Sequence, residues 1–133
     1  MFALLTRWKL KQQCPPELLE KLNDLCAKVL KNEPGTLAYA ISLPGSFPPI
    51  GPAPEYEVFN ISEPIKNTPE DELIFFEVYE NPEAYSEHLK GVSTLFIQEN
   101  IRYFKTPWQG YPRPEVTHLN PQTFLFREAL SNL

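Results

Sequence analysis

The chain has 133 residues with 42% hydrophobic and 22% charged residues, and this is the composition of one globular domain, residues 1–133. Its formal net charge is −5 with the acids spread along the chain, so neither a nucleic acid nor an anionic membrane is an expected partner. No apolar run approaches the roughly 20 residues that a membrane helix needs. Two counts are high, because 15 residues are prolines and 13% are aromatic. They predict irregular segments and a core, pocket or interface built from rings.

The cysteines and the N-terminal residues bear on the compartment. Cys14 and Cys26 lie twelve residues apart and form no CxxC pair. The first residues show neither the basic segment nor the apolar segment of a signal peptide. We therefore expect two reduced thiols in a cytoplasmic protein.

The first third of the chain predicts a strand, a helix and a second strand. Alternation from Phe2 to Leu10 indicates a half-buried strand that begins almost at residue 1. Apolar residues then repeat at the helical period after Pro16, until Glu33-Pro34-Gly35 ends the helix. Residues 36–43 alternate again. Leu37, Tyr39, Ile41 and Leu43 share one face, and a row of small side chains forms the other, which leaves room for a helix or a ligand opposite it.

A proline-rich segment interrupts this pattern. Residues 44–70 hold seven of the 15 prolines, and within them only residues 56–61 could form a short strand. Because the segment also contains several aromatic and aliphatic residues, we expect an ordered inserted loop packed on the body of the domain. Long loops in compact domains are often lids or binding loops.

The remainder of the chain predicts a strand, two helices and a last strand. Residues 73–80 give the strongest strand signal, with Phe75, Glu77 and Tyr79 on one face. Asn81 and the proline after it are typical of a helix start. A second helix is predicted to begin near Ser93 and to include Phe104. Residues 115–119 predict the last strand, within a C-terminal extension at 106–133 whose residues 122–131 could be strand or helix.

The element order β-α-β, loop, β-α-α, β is that of a ferredoxin-like α+β fold. In this fold a split βαβ antiparallel sheet carries its helices on one face. The other face of the sheet is left bare. The usual way to cover such a face is to pack it against a second copy, so we expect a homodimer.

Two segments resemble the antibiotic biosynthesis monooxygenase domain. Residues 33–39 read EPGTLAY and match the E-x-G turn of that family, and residues 76–88 read FEVYENPEAYSEH and match its E-x-(W/Y)-x-(D/N) pattern followed by a histidine. The resemblance covers roughly residues 1–105. It implies a dimeric α+β barrel and an enzyme that needs no cofactor, with molecular oxygen as a co-substrate.

The resemblance also implies roles for single residues. The strand aromatic of the family matches Tyr79 and its helix histidine matches His88, while Phe75 stands where the cofactor-independent oxygenases have an asparagine. The predicted catalytic residues are His88 as general base with Tyr79 and Tyr85 orienting the substrate. The predicted substrate-binding residues are Trp8, Tyr39, Phe75, Glu77, Arg102 and His118. No metal site is expected, because the two histidines lie thirty residues apart.

Several readings remain open. The resemblance implies oxygenation or a proton-transfer rearrangement of an aromatic or polyketide-like small molecule in secondary metabolism, beginning with deprotonation of a phenol or enol. The alternatives are a non-catalytic dimeric protein that binds a small molecule and, third, a haem-degrading monooxygenase. His88 could equally serve as a hydrogen-bonding link to a neighbouring helix or loop. Glu77 could pair with Arg7 or Arg102 instead of acting in a site.

Overall fold

The computed structural model describes residues 1–43, 70–107 and 109–121. The predicted inserted loop therefore lies outside the described residues except for Glu70, and so does the predicted short strand at 56–61. The segment 122–131, for which helix and strand were both open, lies outside them as well.

The described residues form a four-stranded antiparallel sheet with helices packed on one face. Its strands are β1 (Phe2–Lys9), β2 (Thr36–Ser42), β3 (Glu72–Tyr79) and β4 (Glu115–Leu119), and its helices are α1 (Pro16–Asn32), α2 (Pro82–Leu89) and α3 (Val92–Glu99), followed by a 3-10 turn at Ile101–Tyr103. The strand order is β2-β3-β1-β4. This confirms the predicted ferredoxin-like α+β fold.

Helix α1 covers the sheet with an apolar stripe that is narrower than predicted. Leu18, Leu22, Leu25 and Val29 are buried in it. Leu19 and Leu30 also fit the helical repeat of apolar residues that predicts this helix, but they are 37% and 48% exposed, and Cys26 is half-buried. The core between this helix and the sheet is completed by Leu10, Tyr39, Leu73, Phe75, Phe96 and Phe104. The residues at i, i+4, i+7 and i+11 are therefore sufficient to seat the helix.

A β-bulge at the start of β2 changes which side chains face the helices. Thr36 pairs with Tyr79 and Ala38 pairs with Val78, so Leu37 is an extra residue in the strand. Leu37 is therefore 41% exposed, and it does not share the buried face of Tyr39 as the alternation predicted. The small side chains of Ala40 and Ser42 are exposed on the other face, so no helix of the described chain covers them.

The second predicted helix after Gly91 is shorter than expected. It ends at Glu99, and the Asn100 side chain donates to the carbonyl of Phe96 at 2.9 Å. Phe104, which was predicted to continue the helix, forms an isolated bridge with Leu10 and is fully buried. The backbone and side-chain amides of Asn100 both donate to this carbonyl, and the chain then continues as the 3-10 turn at Ile101–Tyr103, which brings Phe104 to its bridge with Leu10.

The join between β3 and α2 is fixed by a cap and a close contact. The Asn81 side chain accepts from the amide of Ala84 at 2.8 Å, and this confirms the predicted cap. Gly35 lies so close to this first turn that a Cβ there would be 2.6 Å from the Cβ of Ala84. Glycine at this position therefore lets α2 approach the end of α1, and this approach brings His88 near Glu33.

Candidate functional site

A cavity of about 370 Å³ lies between the sheet and the helices α2 and α3. Side chains of β1, β2 and β3 form its floor, residues of α2 and α3 form its walls, and the segment before β4 forms its rim. The lining residues are Thr6, Trp8, Tyr39, Phe75, Glu77, Tyr85, His88, Leu89, Ser93, Thr94, Ile97, Gln98, Ile101, Tyr111, Pro112, Pro114 and Val116. An apolar cavity with a few polar groups is a common form of small-molecule site.

His88 is held from both sides of its ring. Its Nδ1 lies 2.6 Å from Oε2 of Glu33, and its Nε2 lies 2.9 Å from the hydroxyl of Ser93. The imidazole is buried although it lines the cavity. Glu33 also accepts from the Thr36 hydroxyl at 3.1 Å, so the carboxylate is itself fixed in place. The row therefore runs from carboxylate through imidazole to a hydroxyl at the cavity wall.

Three separate elements bring this row together. Glu33 caps the C-terminus of α1, His88 lies in the last turn of α2, and Ser93 lies in the first turn of α3. Gly91 joins the two short helices, and a Cβ at this position would lie 2.7 Å from Oε1 of Glu33. Glycine thus leaves the space that the carboxylate occupies. A carboxylate on one ring nitrogen fixes the tautomer and makes the other nitrogen more basic.

Glu77 and Tyr79 form a second buried polar pair. The Tyr79 hydroxyl donates to Oε2 of Glu77 at 2.7 Å. Burial raises the pKa of Glu77, and the hydrogen bond from Tyr79 opposes that rise. Burial also raises the pKa of Tyr79 far above its ordinary value, so the phenol remains a donor. Glu77 lines the cavity, whereas Tyr79 is fully buried and is not among the lining residues.

The ion pairs considered for Glu77 from the sequence are not formed. Arg7 contacts Glu72 at 3.1 Å instead. The guanidinium of Arg102 lies over the ring of Tyr103, 4.7 Å from its centroid. Arg7 stands one residue out of phase with the cavity-lining residues of β1, so alternation directs it to the opposite face of the sheet. Arg102 is exposed on the 3-10 turn.

Aromatic rings make up much of the cavity floor. The rings of Trp8 and Tyr39 lie 6.2 and 5.9 Å from that of Phe75, centroid to centroid. The Trp8 indole donates to the Thr6 hydroxyl at 3.2 Å, and the Thr6 side chain opposes the rise that burial causes in the pKa of Glu77. The three aromatic residues assigned to the substrate from the sequence therefore lie together beside the buried carboxylate.

The Tyr39 hydroxyl differs from the other polar groups of the cavity. Tyr39 is 6% exposed, and its hydroxyl is buried with no hydrogen-bond partner among the described residues. Ser93 lies close to it but without hydrogen-bond geometry. Burial raises the pKa of Tyr39 well above its ordinary value, so the group stays a neutral phenol. Its ring centroid lies 5.3 Å from that of His88.

The structure brings most of the predicted site residues to one place. Those that line the cavity are His88, Tyr85, Trp8, Tyr39, Phe75 and Glu77. Tyr79 lies beside them on the same face of β3, and its ring centroid is 5.2 Å from that of Tyr85. Arg102 and His118 are exposed and are not among the lining residues, and the His118 ring contacts Phe2 on the neighbouring strand β1.

Three polar residues of the site were not assigned to it from the sequence. They are Glu33, Thr6 and Ser93. The sequence pattern indicates Glu33 only as the helix stop and the first residue of the E-x-G turn, and Ser93 only as a helix start. Sequence gives no distance between α1 and α3, so the contact of both with His88 could not be seen.

The described ranges contain no group of three histidine, cysteine or acidic side chains that could hold a metal ion. Likewise, no helix within them has the length and apolar character needed to cross a bilayer.

Comparisons with known proteins identify the fold. No protein-family model matches the sequence, and no curated protein is significantly similar to it. Among solved structures, a hypothetical protein of Arabidopsis thaliana has 14% identity and a TM-score of 0.55, with 94% of this chain and 91% of that chain covered.

Two further structures carry a provisional name as antibiotic biosynthesis monooxygenases. The protein of Bacteroides thetaiotaomicron has 15% identity and a TM-score of 0.54, with coverage of 92% of this chain and 90% of that chain. The protein of Chloroflexus aurantiacus has 14% identity and a TM-score of 0.52, with coverage of 94% and 96%. At such identities the similarity establishes the fold. This chain therefore has the ferredoxin-like α+β fold seen in structures named as antibiotic biosynthesis monooxygenases.

Proposed function

We propose that the protein is a cofactor-independent enzyme of secondary metabolism that deprotonates an aromatic or polyketide-like small molecule and then oxygenates or rearranges it. One observation carries this proposal. The His88 imidazole, oriented by the Glu33 carboxylate, lies in the wall of a cavity that is otherwise largely aromatic and aliphatic. The fold shared with structures named as antibiotic biosynthesis monooxygenases supports the same reading.

The geometry suits His88 as a general base. With the Nδ1 proton donated to Glu33, the lone pair of Nε2 points to the Ser93 hydroxyl. A substrate proton can reach Nε2 through that hydroxyl, or directly once the serine side chain rotates away. The imidazolium that forms is stabilised by the Glu33 carboxylate at 2.6 Å.

Both reaction types follow from this one proton transfer. In oxygenation, the substrate carbanion gives an electron to molecular oxygen, the radical pair combines to a hydroperoxide, and loss of water leaves a ketone. The balance is CH₂ + O₂ → C=O + H₂O, so the electrons come from the substrate itself. In a rearrangement, His88 returns the proton to a different atom of the anion. In either case the apolar cavity excludes the water that would otherwise quench the anion.

The other site residues have supporting roles in this proposal. Tyr85, half-buried in the cavity wall, orients the substrate ring. Tyr79, which does not line the cavity, holds Glu77 through their 2.7 Å hydrogen bond. Trp8 and Phe75 form the apolar surface on which a planar ring stacks. Arg102 and His118 lie away from the cavity and take no part.

Oxygen consumption with anthrones and quinols tests the proposal, and exchange of substrate protons for deuterium tests the rearrangement route. The variant is His88→Asn, and the matched control is His118→Asn, which changes the exposed histidine. We expect His88→Asn to lose about 10²- to 10⁴-fold in rate while the control is unaffected. Because His88 is buried, circular dichroism must show that the variant folds. Ser93→Ala is a second variant, and it keeps the ion pair of His88 with Glu33. Full turnover by folded His88→Asn would remove His88 as the base.

A non-catalytic binding protein is the second candidate. It is favoured by the fact that both ring nitrogens of His88 are engaged and that Phe75 stands where the cofactor-independent oxygenases have an asparagine. Protein purified from its native host would then release an unaltered small molecule detectable by mass spectrometry. Turnover of that same molecule by the purified protein would exclude this candidate.

Haem degradation is the third candidate. The imidazole at the cavity has both nitrogens occupied, and the other histidine is exposed on the edge strand β4, so the described residues do not fit an axial ligand beside the cavity. A shift of the haem absorption band on mixing haem with the protein, lost in His88→Asn, would restore this candidate.

We also infer a cytoplasmic homodimer joined through the open face of the sheet. On this face Leu5, Ile74 and Phe76 are half-buried, and Ala40 is exposed. The cytoplasmic location is supported separately by the thiols of Cys14 and Cys26, which are free as in a reducing compartment.

The oligomeric state can be measured directly. Light scattering of purified protein should give twice the monomer mass, and Phe76→Glu should shift it toward the monomer. A wild-type monomer would contradict the inference.

A further inference from the structure

The Tyr39 hydroxyl is a buried donor with nothing to bind in the described chain. Tyr39 is 6% exposed, its ring forms part of the cavity floor, and its hydroxyl has no hydrogen-bond partner among the described residues. An unpaired buried hydroxyl destabilises a folded protein, and native structures contain few of them. Such a group in a cavity wall is therefore a place where a ligand atom would complete the hydrogen bonding.

The neighbours of this hydroxyl do not satisfy it. The Ser93 hydroxyl lies close by, but it is engaged with Nε2 of His88 at 2.9 Å. Phe75, whose ring lies 5.9 Å from that of Tyr39, offers only an apolar surface. Tyr39 therefore lines the cavity beside the imidazole that we propose as the base, with ring centroids 5.3 Å apart, and its unpartnered hydroxyl lies in the buried part of this wall.

We propose that the Tyr39 hydroxyl donates a hydrogen bond to a carbonyl oxygen of the substrate, and that the substrate is an aryl β-diketone or a similarly enolisable aryl ketone. This inference rests on the proposed function. A ligand without an oxygen at this position would leave the hydroxyl unpaired, so the site discriminates against plain hydrocarbons. An alcohol oxygen would accept the bond but would not acidify a neighbouring proton. A carbonyl does both.

The proton transfer balances without any further reagent. His88 takes the proton from the carbon between the two carbonyls, and the electron pair of that C–H bond spreads over the O–C–C–C–O system. Negative charge thus develops on the carbonyl oxygen that Tyr39 contacts. A donor fixed in advance at the atom where charge develops lowers the barrier to forming the anion. The family resemblance implies an asparagine at the position of Phe75, and phenylalanine cannot donate a hydrogen bond. In this proposal the Tyr39 hydroxyl supplies a donor instead.

Binding of two probes with the same carbon skeleton tests the inference. Benzoylacetone is an aryl β-diketone, and butylbenzene is the corresponding hydrocarbon. Quenching of tryptophan fluorescence gives both dissociation constants, and absorbance gives the enolate fraction of bound benzoylacetone. The variant is Tyr39→Phe, and the matched control is Tyr103→Phe, which removes a hydroxyl from a residue that does not line the cavity.

We expect Tyr39→Phe to bind benzoylacetone about tenfold more weakly or worse, because it loses a hydrogen bond to a charged or polarised oxygen. Its enolate fraction should fall, and its affinity for butylbenzene should be unchanged. Tyr103→Phe should behave as wild type. Equal affinity of Tyr39→Phe and wild type for benzoylacetone would overturn the inference, and so would equal losses for both probes.

Thermal unfolding separates a ligand-binding role from a structural one. Since the hydroxyl has no partner in the described chain, Tyr39→Phe should unfold at the same temperature as wild type or higher. A lower unfolding temperature would show that the hydroxyl has a structural partner and would overturn the inference. Failure of this inference and failure of the proposed function can be told apart. If His88→Asn abolishes turnover while Tyr39→Phe binds normally, only the present inference fails; if His88→Asn turns over normally, the proposed base fails whatever Tyr39→Phe does.

Discussion

Replacing Tyr79 by phenylalanine removes one hydroxyl from the buried carboxylate of Glu77. The ring that packs between Phe2 and His88, at centroid distances of 5.5 and 5.3 Å, is retained. The hydroxyl donates to Glu77 at 2.7 Å, and both residues are almost completely buried. The variant therefore isolates a single charge-assisted hydrogen bond. No cavity of more than one oxygen atom is created.

The expected cost follows from this geometry. A hydrogen bond to a charged acceptor contributes about 1.5–3 kcal/mol to the free energy of unfolding, and a buried carboxylate that loses a donor keeps its desolvation cost. For a chain of this length such a loss corresponds to a fall of about 5–12 °C in the melting temperature. Tyr79 is not the only group that lowers the pKa of Glu77, because Thr6 and His88 do so as well, so we expect the lower half of this range.

The cost should depend on pH in a defined direction. Burial raises the pKa of Glu77 above 4.5, and the variant loses the opposing hydrogen bond from Tyr79, so its folded-state pKa rises further. A raised folded-state pKa means that the contribution of Glu77 to stability is fully present below the unfolded pKa and is lost as the pH rises through the folded pKa. That loss is greater in Tyr79→Phe. The difference between the two proteins is therefore largest well above the folded-state pKa and shrinks as the pH falls toward 4.5.

Urea unfolding followed by circular dichroism, at about pH 8 and about pH 4.5, measures both quantities. Tyr103→Phe is the matched control, because its hydroxyl contacts Glu17 at 3.5 Å in an exposed position and should contribute less than about 0.5 kcal/mol. The assignment of an ionised Glu77 held by Tyr79 would be refuted by either of two results. One is a loss of unfolding free energy in Tyr79→Phe that is as small as in the control, and the other is a loss of the same size at both pH values.

Three further substitutions probe the frame around the site, each measured by urea unfolding. Gly35→Ala places a Cβ 2.6 Å from the Cβ of Ala84 and should cost about 1–3 kcal/mol; an unchanged midpoint would contradict this close contact. Asn81→Ala removes the cap of α2 and should cost about 1 kcal/mol, while Asn81→Ser should retain most of the stability. Burial raises the pKa of Glu72, but hydrogen bonds from two basic side chains of β1 outweigh it and hold that pKa below 4.5. The stabilisation that ionised Glu72 contributes is present above the unfolded-state pKa of 4.5 and is lost as the pH falls through the folded-state pKa. Glu72→Gln should therefore lower the free energy of unfolding by up to about 1 kcal/mol at neutral pH and leave it unchanged in strong acid.

Local patterns in the sequence were sufficient to predict the elements. Alternation in residues 2–9 and 72–79 gives the two central strands, and the leucine spacing gives α1. The Asn81 cap and the proline after it mark the start of α2. The errors occurred where a long-range contact overrides a local pattern. Leu37 is displaced by a bulge that depends on pairing with β3, and α3 ends early where the chain turns to bring Phe104 to its bridge with Leu10.

The candidate site shows the same division between local and long-range information. Residues on one strand face, such as Phe75 and Glu77, could be grouped because alternation along β3 is a local property. The pairing of Glu77 with Tyr79 instead of an arginine needed the register of the whole sheet, since register decides that Arg7 lies opposite Ile74 and not opposite the glutamate.

The sequence by itself determined the order and type of the elements, the ferredoxin-like fold that this order implies, and the residue types available for chemistry. Only the tertiary structure decided how those residues meet. Glu33, at the end of α1, lies 55 positions before His88 of α2, and Ser93 of α3 follows His88 by five. Their contact depends on how α2 and α3 pack against the end of α1. The unpartnered hydroxyl of Tyr39 is likewise a property of its surroundings. Periodicity reports the face on which a side chain lies, whereas a hydrogen bond depends on distances that are set when the elements pack.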